Sequence, residues 1–248
     1  MVTAWSRVTV LLMVTLVLAG SASPPPWKPF RLPRPPAEAS TGPVLDAMAV
    51  SASPEAPPVT APPVPAALTP DGLALRSAPV AVPLMLRIPT LGVDVGVLGV
   101  GMTSSDAMDA PVGKADDPVW QQAFWYRGSA VPGAPSTALI AGHIDDSLGR
   151  PAVFNHIDSL EPGDPIVAHD TRTGLDVRFA VTESTEYPLD ETTRPDVLAR
   201  IYGTGPVVGA EPQPSADGLA HLTLITCAGT FRNGTHDHRR VVFATRVT

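Results

Sequence analysis

The stretch Met85-Leu-Arg-Ile-Pro-Thr-Leu-Gly-Val-Asp-Val-Gly-Val-Leu98 decides the fold class. Its apolar residues recur with a period near two, and Pro and Gly break the run in the middle. That period places alternate side chains on opposite faces of a strand, so the stretch predicts β-structure interrupted by a turn. Residues 124–126, 137–141, 165–169, 175–187, 221–226 and 239–247 repeat the pattern as short runs rich in branched or aromatic side chains. Turn formers such as Glu161-Pro-Gly-Asp164 and Arg232-Asn-Gly-Thr235 bound them. Two stretches read as short helices, 152–160 and 195–202, the second with Thr193 as its cap. Many short strands with few helices make an all-β barrel or sandwich, and no internal repeat is visible.

This β-rich region spans 80–248 and is preceded by two segments of different composition. Residues 23–79 are rich in Pro, Ala, Ser and Val, and hold a large share of the chain's 30 prolines. Such a stretch lacks the residues for a core and favours extended conformers, so it reads as a disordered, semi-rigid linker. Residues 1–22 place Arg7 before the apolar run Val8-Thr-Val-Leu-Leu-Met-Val-Thr-Leu-Val-Leu-Ala-Gly-Ser-Ala22. The run is either a signal peptide cleaved near its small residues or a retained N-terminal membrane anchor. Both alternatives export the rest of the chain, which is secreted in the first case and held at the membrane in the second. A stalk lifting a domain off the membrane fits the anchor better. The net charge of −7 and the lack of a long Lys/Arg run argue against nucleic acid as the main partner.

Cys227 is the only cysteine among 248 residues and ends the alternating run His221-Leu-Thr-Leu-Ile-Thr-Cys227. A lone cysteine in an exported chain is either a reactive thiol, one half of an intermolecular bridge, or an inert buried residue. Ala228-Gly229 follows, small enough to admit a substrate. His143 ends a second β-type run, Thr137-Ala-Leu-Ile-Ala-Gly-His143, whereas His156, His169 and His221 have no comparable context. His236 and His238 lie near Cys227, but the paired Cys/His spacing of a metal site is missing, so no metal is expected. Arg239 and Arg240 open the last strand, where alternation sends their side chains to opposite faces. Residues 205–220 form a Pro/Gly-rich loop leading into the cysteine strand, either shaping a site or merely connecting.

Thr137-Ala-Leu-Ile-Ala-Gly-His-Ile-Asp145, Leu222-Thr-Leu-Ile-Thr-Cys227 and Arg239-Arg-Val-Val-Phe-Ala-Thr245 together resemble the three signatures of the sortases. The upstream Asp116-Asp117-Pro118, Phe124-Trp125-Tyr126 and Pro132-Gly133 look most like the actinobacterial class F branch. The resemblance covers roughly residues 80–248. It implies a closed eight-stranded β-barrel with one or two short helices, working as a membrane-anchored, extracytoplasmic cysteine transpeptidase without a cofactor. Carried onto this chain, Cys227 matches the nucleophile, His143 the general acid/base and Arg239 the oxyanion-stabilising arginine, with Arg240 and Arg232 as neighbouring alternatives. Thr226 matches a threonine that holds substrate backbone, and Gly142 and Ala228 beside the site are expected to bind substrate with it. The implied substrates are LPXTG-type sorting signals cut after Thr, with a peptidoglycan or pilin amine as acceptor. Two other readings are an exported cysteine L,D-transpeptidase and a non-catalytic wall-associated β-domain. The first normally places its His close to its Cys, whereas here the two stand 84 positions apart.

Overall fold

The computed structural model describes residues 62–71, 73–104, 107–206 and 210–247. The expected signal or anchor segment 1–22 and most of the linker lie outside the described residues. Among the described residues no helix is long and apolar enough to cross a membrane.

The opening stretch folds as a hairpin. Strands β1 (Val80–Ile88) and β2 (Val93–Val100) pair antiparallel across a 3-10 turn at Pro89–Leu91 that Gly92 closes at φ 65. Glycine adopts that left-handed conformation without a Cβ clash. The chain continues through β3 (Ala123–Tyr126), β4 (Thr137–Gly142), β5 (Pro165–Asp170) and β6 (Leu175–Pro188). The helix α1 (Pro195–Tyr202) precedes the final hairpin of β7 (His221–Arg232) and β8 (Thr235–Arg246). The strands close into one barrel in the order β1-β2-β3-β4-β7-β8-β6-β5. Closure leaves no unpaired sheet edge. Two of its ladders are parallel, β2 with β3 and β4 with β7.

Alternation sorts the side chains of the three strands that matter most for function. Ala138 and Ile140 of β4, Leu222 and Leu224 of β7, and Val242 and Ala244 of β8 fill the barrel interior. The residues between them face outward, where Leu139, Ile225, Val241 and Phe243 form a second apolar layer with Tyr126 and Tyr187. Val197 and Ile201 of α1 pack into that layer, so the outer face of β4, β7 and β8 is roofed by the helix.

Both predicted helices need correction in detail. Residues 152–160 do not form an α-helix; they run through turns with a 3-10 piece at Ile157–Ser159. Their backbone donors are taken from outside: Ala152 donates to the carbonyl of Ile144, Val153 to Trp120 and Phe154 to His143. Phe154, Ile157 and Leu160 thereby plug the core. In α1 the cap position is Arg194, not Thr193, and the helix opens with Pro195. Proline lacks the N–H that a first helical turn leaves unpaired, so it suits that place. The Thr193 hydroxyl instead donates to the carbonyl of Asp190 at 2.6 Å.

The packed part of the chain begins before residue 80. Leu68 is buried in the core, and Arg172 donates to the carbonyls of Ala67 and Ala66 at 3.0 and 3.2 Å. Arg246 reaches the carbonyl of Pro63 at 2.8 Å. Composition counts core-forming side chains, whereas this segment is held mostly through its carbonyls.

Candidate active site

The β7–β8 ladder sets Cys227 directly opposite Arg239. Both belong to the outward set on their strands, beside Ile225 and Val241. The parallel β4–β7 ladder pairs Ala141 with Ile225. Two residues further along each strand bring His143 and Cys227 to the same end of the barrel. A hydrogen bond ties these strand ends together: the Thr226 hydroxyl, turned inward, donates to the Gly142 carbonyl at 2.8 Å. Cysteine, histidine and arginine therefore stand in a row across three adjacent strands. The Cys227 thiol is free and half-buried.

Arg239 is only 5% exposed. Its Nη1 donates to the carbonyls of His238 at 2.7 Å and His236 at 3.2 Å, so the hairpin that carries it also aims it. Arg240 occupies the other face and donates to Glu186 at 2.6 Å. The alternation expected from sequence thus separates the two arginines, with Arg239 beside the thiol. Arg232 sits in the exposed hairpin end, paired with Thr235.

His143 is enclosed by Trp120, Phe124 and Pro111, of which only Phe124 stood in a motif quoted from the sequence. Its ring lies 4.7 Å from Trp120 and 5.2 Å from Phe124, centroid to centroid. Its Nε2 is 2.8 Å from the carbonyl oxygen of Pro111. Phe124 was visible as a strand residue, but Pro111 acts through a carbonyl that every residue type carries. No side-chain pattern announces such a contact.

Burial governs the electrostatics of the row. It pushes the Cys227 thiol up, opposed by the Arg239 guanidinium and reinforced by Asp145. It pushes His143 down, against the Pro111 carbonyl and the Asp145 carboxylate. It also lowers Arg239, against the pull of Cys227 and Tyr202. Tyr202, at the end of α1, is pushed up to about 12 by burial, with Tyr126 adding to the shift and Arg239 opposing it. The half-buried thiol and imidazole are thus each biased towards the neutral form.

The three flanking residues have structural partners. A Cβ on Gly142 would approach the Phe154 ring within 2.6 Å, which explains the glycine there. Thr226 and Ala228 are both buried and alternate away from Cys227. Of the other histidines, His236 pairs with Asp145 at 3.6 Å and His238 with Asp237 at 2.7 Å. Among the described residues, the loop before β7 lies against the start of that strand. Its Thr204, Gln213 and Ser215 border a cavity of about 440 Å³ with Arg200, His221 and Phe243, at the start of β7.

Fold and site define a closed β-barrel that presents a cysteine, a histidine and an arginine in one row on its outer face. A sortase domain model matches residues 86–247, and the chain belongs to the sortase family. Among solved structures it is similar to the SrtA sortase from Actinomyces oris, with 23% identity, 76% of this chain and 87% of that chain covered, and a TM-score of 0.47. Sortase A from Corynebacterium diphtheriae shares 20% identity over 69% of this chain, with a TM-score of 0.45, and the match spans 62% of that chain. Sortase C-1 from Actinomyces oris shares 20% identity over 66% of this chain and 73% of that one, at a TM-score of 0.43. Comparison with curated protein sequences finds no significant match.

Proposed function

We propose that this chain is a cysteine transpeptidase of the class F branch. It cleaves an LPXTG-type sorting signal after Thr and transfers the protein to a peptidoglycan or pilin amine. The observation that carries this reading is the Cys227–Arg239 cross-strand pair with His143 at the end of the neighbouring strand. Cys227 is the nucleophile. As its sulfur attacks the threonine carbonyl, the thiol proton passes to His143, and the Arg239 guanidinium stabilises the oxyanion. The C–N bond to the next residue then breaks, and His143 returns the proton to the departing amine. The thioester that remains on Cys227 is opened by the acceptor amine, whose proton travels back through His143 to the sulfur.

Thr226 and Gly142 contribute by holding the two strand ends in register, and Ala228 gives the chain a small exit from the site. The catalytic domain works outside the cell, held to the membrane by residues 1–22 through the proline-rich linker. Incubating the protein with a panel of sorting-signal peptides and weighing it by mass spectrometry tests the proposal. A thioacyl adduct on Cys227 is expected, and Cys227→Ala should form none while keeping its fold and losing turnover by about 10³-fold or more. Turnover retained in that variant would sink the assignment.

A further inference from the structure

The surroundings of His143 carry information about which of its nitrogens does the work. A carbonyl oxygen has only lone pairs to offer, so the 2.8 Å contact with Pro111 requires the proton on Nε2. A neutral imidazole holds a single ring proton, which leaves Nδ1 bare. Trp120 and Phe124 wall the ring at 4.7 and 5.2 Å and restrict its rotation.

The Pro111 carbonyl belongs to a strap that is itself tied down. Trp120 Nε1 donates to the carbonyl of Lys114 at 2.7 Å, and the Asp117 amide donates to the same carbonyl at 2.9 Å. Asp117 then accepts from the Val119 amide at 2.9 Å, and Arg150 donates to the carbonyl of Ala115. Trp120 therefore does two things at once: its ring packs at a tilt of 56° against the imidazole, and its indole N–H anchors the strap that supplies the carbonyl.

We propose that Pro111, Trp120 and Phe124 are positioning residues that fix His143 as its Nε2–H tautomer, leaving Nδ1 to exchange the proton with Cys227. The proposal rests on the thiol chemistry proposed above. The charged group acting on His143 is Asp145, two residues beyond it and paired with His236; Asp145 acts on Cys227 as well, whose other charged neighbour is Arg239.

The ¹⁵N NMR signals of His143 in the full chain distinguish the two tautomers without substrate, and the Nε2–H form is expected in the wild type at mildly alkaline pH. Trp120→Ala should then give mixed tautomers and lower kcat by roughly tenfold or more with KM within about twofold, as expected for a misplaced acid/base. Trp120→Phe restores the ring wall without the indole N–H and should recover part of that loss. A wild-type Nδ1–H tautomer overturns the positioning role, whether or not Trp120→Ala folds. So does a folded Trp120→Ala variant with unchanged tautomer and kcat. The correct tautomer in an enzyme that never acylates Cys227 overturns the proton exchange and leaves the positioning intact.

Discussion

At the end of the barrel away from Cys227, Asp170 is fully buried, and Arg172 holds it through a 3.0 Å ion pair. That guanidinium keeps the carboxyl below the usual carboxylate range and spends its remaining donors on the carbonyls of Ala66 and Ala67. At the opposite end, burial is the leading influence on Cys227, His143 and Arg239, and it moves all three towards their neutral forms. Arg239 and Arg246 stand seven positions apart on β8, about 23 Å at the usual rise per residue. One barrel thus compensates its buried charge where the linker docks and leaves it only partly compensated where chemistry is expected. Groups with such shifts gather at functional sites because a reaction needs them near the point of proton transfer.

Substitutions at the two ends should have separable effects. The largest is expected from Arg239→Ala, which should lower kcat by about 10²–10³-fold, the scale of losing an oxyanion donor. Arg240→Ala should stay within a few-fold, since its partner Glu186 lies on the other face. Equal losses in steady-state assays would break the assignment of faces. At the linker end, Leu68→Ala should cost about 2–4 kcal/mol in denaturant unfolding, the usual cost of truncating a buried leucine. It should leave kcat/KM unchanged, and a parallel fall in activity would show that the two ends are coupled.

The pH profile sharpens the contrast. With the imidazole shifted down and the thiol shifted up, kcat/KM should follow a broad bell. Its acid limb should fall below about 6.5 and its alkaline limb above about 8.5, the ordinary values of the two groups. Protonated histidine cannot accept the thiol proton below the acid limb, and the proton needed for the leaving amine is lost above the alkaline one. A narrow bell lying inside those limits would contradict the shifts. The smallest effect is expected from Thr226→Val, which leaves the Gly142 carbonyl without its donor at a cost of about 1–3 kcal/mol. KM for a sorting peptide should hardly change; a large rise would return Thr226 to direct contact with substrate backbone.

Much of this arrangement was legible from periodicity. The alternation in 85–98 became β1 and β2, and every later strand candidate became a strand, β7 and β8 extending to the Asn233-Gly234 turn. The pattern at Arg239 and Arg240 foretold that they face opposite ways. Residues 152–160 misled because apolar spacing does not reveal that their amides serve His143, Ile144 and Trp120. The Pro111 contact and the docking of Pro63, Ala66 and Ala67 were hidden for a related reason. They run through backbone carbonyls, whose partners depend on tertiary position alone.

The parallel β4–β7 ladder has a consequence for the order in which the molecule assembles. It joins segments 84 residues apart at the Thr226–Gly142 bond, with two strands and a helix threaded between them. Pairings of such high sequence separation form only after a costly loop closure, so they belong among the later events of folding. Cys227 and His143 first become neighbours when that ladder closes. A partly folded chain would expose the thiol without its proposed acid/base partner, and recovery of activity during refolding would mark completion of the barrel.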